Sequence, residues 1–508
     1  MTRRTAAWLL LGMVILGTGA RLYGLTHRSL WFDEAFSWRL TQFPVREMLI
    51  RAGEDVHPPL YYLLLKAWRV VFFSSVLSLR LFSVMWAAVS IALAYLVAAA
   101  VTRSRAAGLL GASLIALSGF QMQYAWEARM YTLGIALALL ACWLLLQAIR
   151  TARLTWWLAY AFVAAAFAYV HYFAVFTLAA HFIFILGYLV HRARGRLGEI
   201  LLQRQTWWAL LAALLVVIFY LPWLPQAIKQ NSRVQANYWV PPLGGWSMPD
   251  TFYRMLIPTA AIPSHRGIGA LLSALPLAAV ALVLVLIARV RSAPGRDGRV
   301  LLALSVLIPF SSVILLSLHS RSLYQDRFFA FVHPFLLIAI AHLIMMIKPR
   351  RLRSASAAVL LIGFLFATYF YWQELNFRHR PGVHAAARFI SGQRTPAEPI
   401  IVSSPFIFFP LDYYFTESFA APRTVKLYAD SSTPLHFAGA PILIPDDLLP
   451  IDFVRQTPAQ ALWVVDTTGF GAAPLELAAP WLPVSVTSYP EVFAYQGTVT
   501  VTRYQRRP

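Results

Sequence analysis

Cysteine and acid are what this chain lacks. Its 508 residues hold one Cys and 21 Asp or Glu. Cys142 has no partner for a disulfide and no companion for a thiolate metal cluster, so every segment must hold without cross-links. Charged residues amount to only 13%, which excludes an ordinary soluble globular protein. No internal repeat or low-complexity tract breaks the sequence.

In their place stand 59% apolar and 14% aromatic residues. The apolar residues come in runs of about 17 to 24, enough for a helix to cross roughly 30 Å of hydrocarbon. Eleven spans are expected, near 6–25, 81–101, 106–121, 131–149, 155–170, 172–190, 207–224, 267–288, 300–318, 328–347 and 355–373. Tyr169 to Tyr172, only weakly polar, must serve as the hairpin between the fifth and sixth.

The formal charge of +22 follows the same pattern. With a cytoplasmic N-terminus, Arg3/Arg4, Arg103/Arg105, Arg150/Arg153 and the basic clusters of 192–204, 289–299 and 348–353 fall on every second loop, as the positive-inside rule requires. A nucleic-acid partner is excluded, because its surface would gather the charge on one soluble domain. Arg3 and Arg4 before an apolar stretch resemble a signal peptide. Ala20-Arg21-Leu22 is a poor cleavage site, however, so this run is expected to remain as the first helix of a multi-pass cytoplasmic (inner) membrane protein.

The expected fold is an α-helical polytopic membrane domain, 1–373, followed by a soluble extracytoplasmic α/β domain, 374–508. The first outer loop, 26–80, is long, and Pro44 to Ala52 and Pro59 to Phe73 have the periodicity of interfacial helices roofing a cavity. In the C-terminal domain a helix is expected at Val383 to Ile390. Strands are expected at 399–402, 441–444, 461–466 and 498–504. That domain has no Gly-rich phosphate loop or Ser/His/Asp arrangement, which gives it a supporting or acceptor-contacting role.

The unusual polar residues gather on one expected membrane face. Asp33 and Glu34 follow the first span within Trp31-Phe32-Asp33-Glu34-Ala35. Glu54-Asp55-Val56-His57-Pro58-Pro59-Leu60 stands later in the same loop, and Glu127-Ala128-Arg129-Met130-Tyr131 caps the third and fourth spans. Tyr169, His171 and Tyr172 cap the next pair, while Tyr324 and Arg327 lie between the ninth and tenth. Acids this close to lipid usually line a reaction site or a water-filled path.

In this order and topology the chain resembles the GT-C superfamily of polytopic glycosyltransferases, particularly the group of protein O-mannosyltransferases and lipid A aminoarabinose transferases. The early Asp-Glu pair, His57-Pro58-Pro59-Leu60 and Glu127-Ala128-Arg129-Met130-Tyr131 carry the resemblance, best over the first seven helices. It implies a sugar donor carried on a polyprenyl phosphate, with Asp33 as the general base of an in-line, inverting transfer. Glu34 would orient acceptor or sugar hydroxyls. His57 fits the mannosyltransferase His-Pro-Pro better than the aminoarabinose-transferase pattern, where a Lys commonly precedes the proline, and this loosens an aminosugar assignment.

Each residue also has a plainer reading. The Asp-Glu pair is placed to cap an interfacial helix, Arg129 and Arg327 to snorkel at helix ends, and His57 to order the turn before Pro58. Tyr172 with Tyr169 suits the aromatic belt. On the functional side, Arg129 and Arg327 would bind donor phosphate. Tyr131, His57, His171, Tyr172 and Tyr324 would line the donor cavity. Asp55, Glu54 and His57 offer oxygen and nitrogen ligands beside Asp33, but nothing in their spacing demands a metal. No cofactor is expected, and a divalent ion stays open.

Two other classes compete. A lipid-linked-sugar flippase or transporter would place charges within the spans, often in repeated halves. A non-catalytic envelope scaffold would leave the Asp-Glu pair and Arg129 without a reason to sit together. Within enzymes, a lipid-linked glycan polymerase or ligase is the nearest rival. The sequence names neither the sugar nor the acceptor, which stays open among protein hydroxyls, lipid headgroups and cell-surface glycans.

Overall fold

The computed structural model describes residues 1–259, 296–428, 436–450, 452–472 and 474–507. Seven described helices are long and apolar enough to cross a membrane. These begin with α1 (Arg3–Leu22). After the short loop helices α2 (Phe32–Leu40), α3 (Val45–Glu54) and α4 (Leu60–Phe72) comes the long α5 (Val76–Thr102). The pair α6 (Arg105–Leu117) and α7 (Gly119–Ala125) forms one further span bent by 60°, if it crosses as a unit. The helix α8 (Tyr131–Thr151) follows.

The remaining long apolar helices lie at Ala174–Arg192, Arg204–Ala236, Arg296–His319 and Arg350–Gln393, the second and fourth of these ranges continuing through short breaks where helices abut. Leu154–Ala168 and His333–Met346 occupy expected spans but are shorter. The expected eighth span, 267–288, lies outside the described residues, so the count of eleven remains an expectation.

Local chemistry explains where these helices start. Ser75, Ser104 and Ser118 accept hydrogen bonds from the backbone N–H of Ser78, Ala107 and Gln121, capping α5, α6 and α7. Ser118 is extended, at ψ 115°, and this breaks α6 from α7. Arg21, wholly buried near the end of α1, donates to the carbonyls of Ile115 and Ala116 at the end of α6. A cation suits that helix terminus, and the contact builds the first helix into the bundle.

The first loop carries the expected interfacial helices, with α3 and α4 close to the ranges read from periodicity. Val70, Val71, Phe72 and Phe73 at the end of α4 are exposed apolar residues, as an element lying against lipid requires.

The C-terminal domain is a six-stranded sheet in the order β3-β2-β1-β4-β6-β5, comprising β1 (Ile400–Val402), β2 (Val425–Tyr428), β3 (Leu448–Leu449), β4 (Ala461–Thr467), β5 (Trp481–Pro490) and β6 (Thr498–Arg506). The first four run parallel; β6 pairs antiparallel with both β4 and β5. The helix Gly382–Gln393 packs over it.

The strand expected at 441–444 is not there. Ala440–Ile442 forms a 3-10 turn after Gly439, whose φ of +87° is a left-handed conformation. The carbonyls of Pro441 and Leu443 are taken by the Arg51 guanidinium of α3, at 2.7 and 3.3 Å. Edge strand β5 was not expected, because Pro483 and Pro490 interrupt its alternation and most of its side chains are exposed.

Beside Arg51, further contacts clamp this domain onto the first loop. Tyr413 donates to the Ser74 carbonyl at 2.8 Å, Tyr414 accepts from Leu30 N–H at 2.8 Å, and Arg39 binds both oxygens of Asp447. The turn between β5 and β6 reaches the membrane domain as well. Val492 packs with Leu25, Met122 and Trp126, and Phe493 lies under Arg28 with 5.3 Å from guanidinium to ring centre.

Candidate active site

The neighbours Asp33 and Glu34 occupy the first turn of α2, yet they face different environments. Glu34 is fully buried. Its two oxygens accept from Arg80 Nε and Nη2, each at 2.8 Å, from Ala128 N–H at 2.9 Å, from Trp31 N–H at 3.3 Å and from Arg28 at 3.4 Å. Burial alone would raise this carboxyl; Arg80 first, then Arg28 and the Ala128 amide, outweigh it and hold the group below the usual glutamate range. Arg80 also donates to the carbonyls of Leu25, Arg28 and Ser29. Glu34 therefore ties α2, the chain after α1, the start of α5 and the 126–130 turn into one unit. The expected role in orienting sugar hydroxyls does not fit a carboxylate with no exposed edge.

Asp33 keeps a partly open side chain, 17% exposed, and turns toward two cations. Its Oδ2 lies 3.1 Å from Arg327 Nη1 and 3.8 Å from Arg129 Nε. Arg129 is held from below by the Ser37 hydroxyl (3.1 Å), the Tyr62 hydroxyl (3.3 Å) and the Asp33 carbonyl (3.3 Å). Arg327 lies over the Trp239 ring, 4.8 Å from its centre. Both guanidiniums retain a buried Nε–H that makes no hydrogen bond among the described residues.

A second line of groups runs away from Arg129. His57 Nε2 lies 3.4 Å from Arg129 Nη2, and its Nδ1 lies 3.0 Å from Asp55. Those partners fix the tautomer: Nδ1–H donates to Asp55 and Nε2 accepts from Arg129. Burial, opposed by the Asp55 hydrogen bond, lowers the His57 imidazole below its ordinary range, so it is neutral near pH 7. The ring of His171 is 5.9 Å from that of His57 and 6.1 Å from Tyr131. His171 Nδ1 accepts from Phe173 N–H, and its buried Nε2 has no hydrogen-bond partner among the described residues.

Phe331 stands 4.9 Å from His171, and Gly134 on α8 leaves room for it, since a Cβ at that position would meet its ring. Asp33, His57, Arg129, Tyr131, His171 and Arg327 thus converge from five separate segments.

Two expected members stay outside. Tyr172 is held by Gln230 and by the indole N–H of Trp223, which dock the 169–173 hairpin onto the helix after Trp223. Tyr324 packs on Phe329 with Thr251, Asp326 and Asp250 as its polar neighbours. Three participants escaped the sequence reading: Arg28, Arg80 and Tyr495. Arg80 had a signal, a lone cation just inside an apolar run. Tyr495 had none, because only the β5–β6 turn brings it beside Trp31, 6.1 Å between ring centres, and into the electrostatic reach of Asp33 and Arg327.

No group of three His, Cys, Asp or Glu among the described residues is arranged to hold a metal. The Asp55 carboxylate is engaged by His57, and the charges facing Asp33 are guanidiniums. The arrangement can hold an anion between Arg129 and Arg327 while presenting a carboxylate beside it.

Residues 56–224 match the family model described as dolichyl-phosphate-mannose-protein mannosyltransferase. No curated protein matches the chain by sequence. Among solved structures, ArnT from Cupriavidus metallidurans in the apo state superposes with a TM-score of 0.61 at 12% identity, over 98% of each chain. The same protein bound to undecaprenyl phosphate gives 0.60 at 14% identity, again over 98% of each. The apo oligosaccharyltransferase of Archaeoglobus fulgidus gives 0.53 at 12% identity, over 92% of this chain and 70% of that one. The chain is a multi-pass membrane protein with the fold of the GT-C superfamily of glycosyltransferases, matching the mannosyltransferase family model over residues 56–224.

Proposed function

We propose that this protein is an inverting glycosyltransferase that moves a sugar from a polyprenyl-phosphate donor to an acceptor hydroxyl at the outer face of the cytoplasmic membrane. One observation carries the reading: the Asp33 carboxylate is held by Arg327 and Arg129, whose buried Nε–H groups make no hydrogen bond among the described residues, that of Arg129 standing 3.8 Å from Asp33. A phosphate oxygen satisfies those donors better than a single carboxylate does, since guanidinium and phosphate form charge-assisted pairs. Donor binding therefore draws the two arginines onto phosphate and frees Asp33.

In the step that follows, Asp33 takes the acceptor hydroxyl proton as its oxygen bonds to the anomeric carbon. The bond from that carbon to the phosphate oxygen breaks on the opposite side, and its electron pair leaves with the polyprenyl phosphate. Arg129 and Arg327 stabilise the charge that grows there. An ordinary carboxylate is a weak base for a hydroxyl, so proton removal runs with bond formation, where a positioned base contributes roughly 10²- to 10⁴-fold. The described likeness to a protein solved with undecaprenyl phosphate supports the donor class.

Release of free polyprenyl phosphate from a panel of radiolabelled polyprenyl-phosphate sugars tests this, in native membranes carrying wild type or Asp33→Asn at matched folded levels. Asp33-dependent release with label transfer is expected. Equal release by both sinks the assignment of the base, and turnover with no donor turns the reading toward a transporter or a glycan polymerase. Transfer is expected to survive chelation; loss restored by a divalent ion would make the site metal-dependent.

A further inference from the structure

At the end of the membrane domain opposite Asp33 lies a pocket of about 430 Å³. Arg327 stands at one end of the helix His333–Met346, and Met345 and Met346 in the pocket wall close its other end. The turn between α5 and α6 contributes Thr102 and Ser104. The start of the helix Arg350–Leu375 contributes Arg353 and Ser354.

The pocket is chemically unlike the hydrocarbon around it. His342 lines it while only 6% exposed, and neither of its ring nitrogens has a hydrogen-bond partner among the described residues. A buried imidazole with both nitrogens unmet is destabilising unless a ligand or water meets it. Arg353 makes no ion pair among the described residues, and no Asp or Glu occurs in residues 98–117 or 333–373; the neighbouring helix Arg296–His319 brings the charge of Arg299 to His342, while its Asp297 faces Arg150. Beside these polar groups, Met346, Leu352 and Val359 are exposed. A cationic, hydroxyl-lined pocket with an apolar flank matches a molecule with an anionic head and acyl tails.

We propose that this pocket binds the phosphate headgroup of an anionic phospholipid from the leaflet it faces. Arg353 supplies the charge, His342 and the Ser104 and Ser354 hydroxyls supply directional donors, and the acyl chains run along Met346, Leu352 and Val359. The site is separate from the one that holds Asp33 and does not depend on the transfer reading.

Native mass spectrometry of the delipidated full-length protein in detergent tests it, with dioleoyl-phosphatidylglycerol, dioleoyl-phosphatidylcholine or inorganic phosphate added. One phosphatidylglycerol per chain should be retained in preference to phosphatidylcholine. Arg353→Gln should weaken it about fivefold, the worth of one basic residue near an anionic surface. His342→Leu should weaken it as well, while Arg351→Gln, outside the pocket wall, should not. Equal retention of the two lipids overturns the proposal. So does unchanged phosphatidylglycerol binding by Arg353→Gln, a partly exposed position whose folding does not rest on packing. An equal loss with Arg351→Gln would mean diffuse surface charge, and inorganic phosphate held as tightly as the lipid would mean a soluble anion; either also overturns it.

Discussion

The Asp33 carboxylate lies 3.1 Å from the Arg327 guanidinium although 294 residues separate them in the chain. The next residue, Glu34, is paired instead with Arg80, at 2.8 Å in a fully buried contact. Within one turn of helix a partly open acid facing two arginines therefore stands beside a buried, fully paired one, and substitutions at the two positions should fail differently.

Glu34→Gln leaves Arg80 buried without its counter-charge. Breaking one side of a buried pair typically costs about 3–5 kcal/mol. The expected outcome is a large loss of folded yield and thermal stability, in contrast to Asp33→Asn, which should fold and bind donor normally. Comparable stability of the two variants by thermal unfolding in detergent would remove the structural role of Glu34.

Arg129→Ala and Arg327→Ala should each weaken binding of the polyprenyl-phosphate donor by about 10- to 100-fold, the range of a hydrogen bond to a charged group. Lys should restore little at position 129, because a point ammonium cannot reach Asp33, Ser37 and Tyr62 as the guanidinium does. Binding isotherms with polyprenyl phosphate alone separate this effect from chemistry, and unchanged affinity in both variants would take the phosphate away from these residues.

Burial, only partly offset by Arg28 at 4.0 Å, raises the Glu127 carboxyl to about 7. Its folded value lies above its unfolded one, so its stabilising contribution is complete below the ordinary glutamate range and is lost as pH rises through 7. A displacement of that size corresponds to roughly 3 kcal/mol between the two protonation states. Melting temperatures of wild type and Glu127→Gln should diverge between pH 5 and 8, with wild type losing ground at the alkaline end. Parallel pH profiles would show that Glu127 titrates normally. Glu491, also raised by burial to about 7, slopes the same way in both proteins and cancels in the comparison.

Tyr495 brings the C-terminal domain to the edge of the site, with its ring on Trp31 and Phe470. About half of its surface is open. Tyr495→Ala should lower transfer to acceptor while leaving polyprenyl-phosphate affinity unchanged, since Arg129 and Arg327 keep their places. A fall in donor affinity of the same size would assign Tyr495 to the donor side instead.

Much of the site was legible because its residue types are expensive where they stand. Acids, histidines and arginines at the ends of apolar runs mark one membrane face, and Asp33, His57, Arg129 and Arg327 were all found that way. Tyr172 and Tyr324 were misplaced for a physical reason. A tyrosine at a membrane edge has an apolar body and a polar tip, and sequence does not say whether the tip meets a ligand, or Gln230 and Trp223, as it does at Tyr172. Arg28 and Arg80 were passed over because a buried guanidinium looks, in sequence, like one that snorkels to water.

By itself the sequence determined the membrane class, the long apolar helices, the short helices of the first loop and the presence of a sheet domain near the C-terminus. Each follows from hydrophobic period, run length and charge cost, which are local properties of the chain. Only the tertiary structure decided which acid of the Asp-Glu pair keeps an open edge, because that depends on five donors brought to Glu34 by four residues. It also decided that the β5–β6 turn of a distant domain closes over Arg28 and Trp31. Contacts between segments hundreds of residues apart are set by how helices pack and strands pair, and no window of sequence contains them.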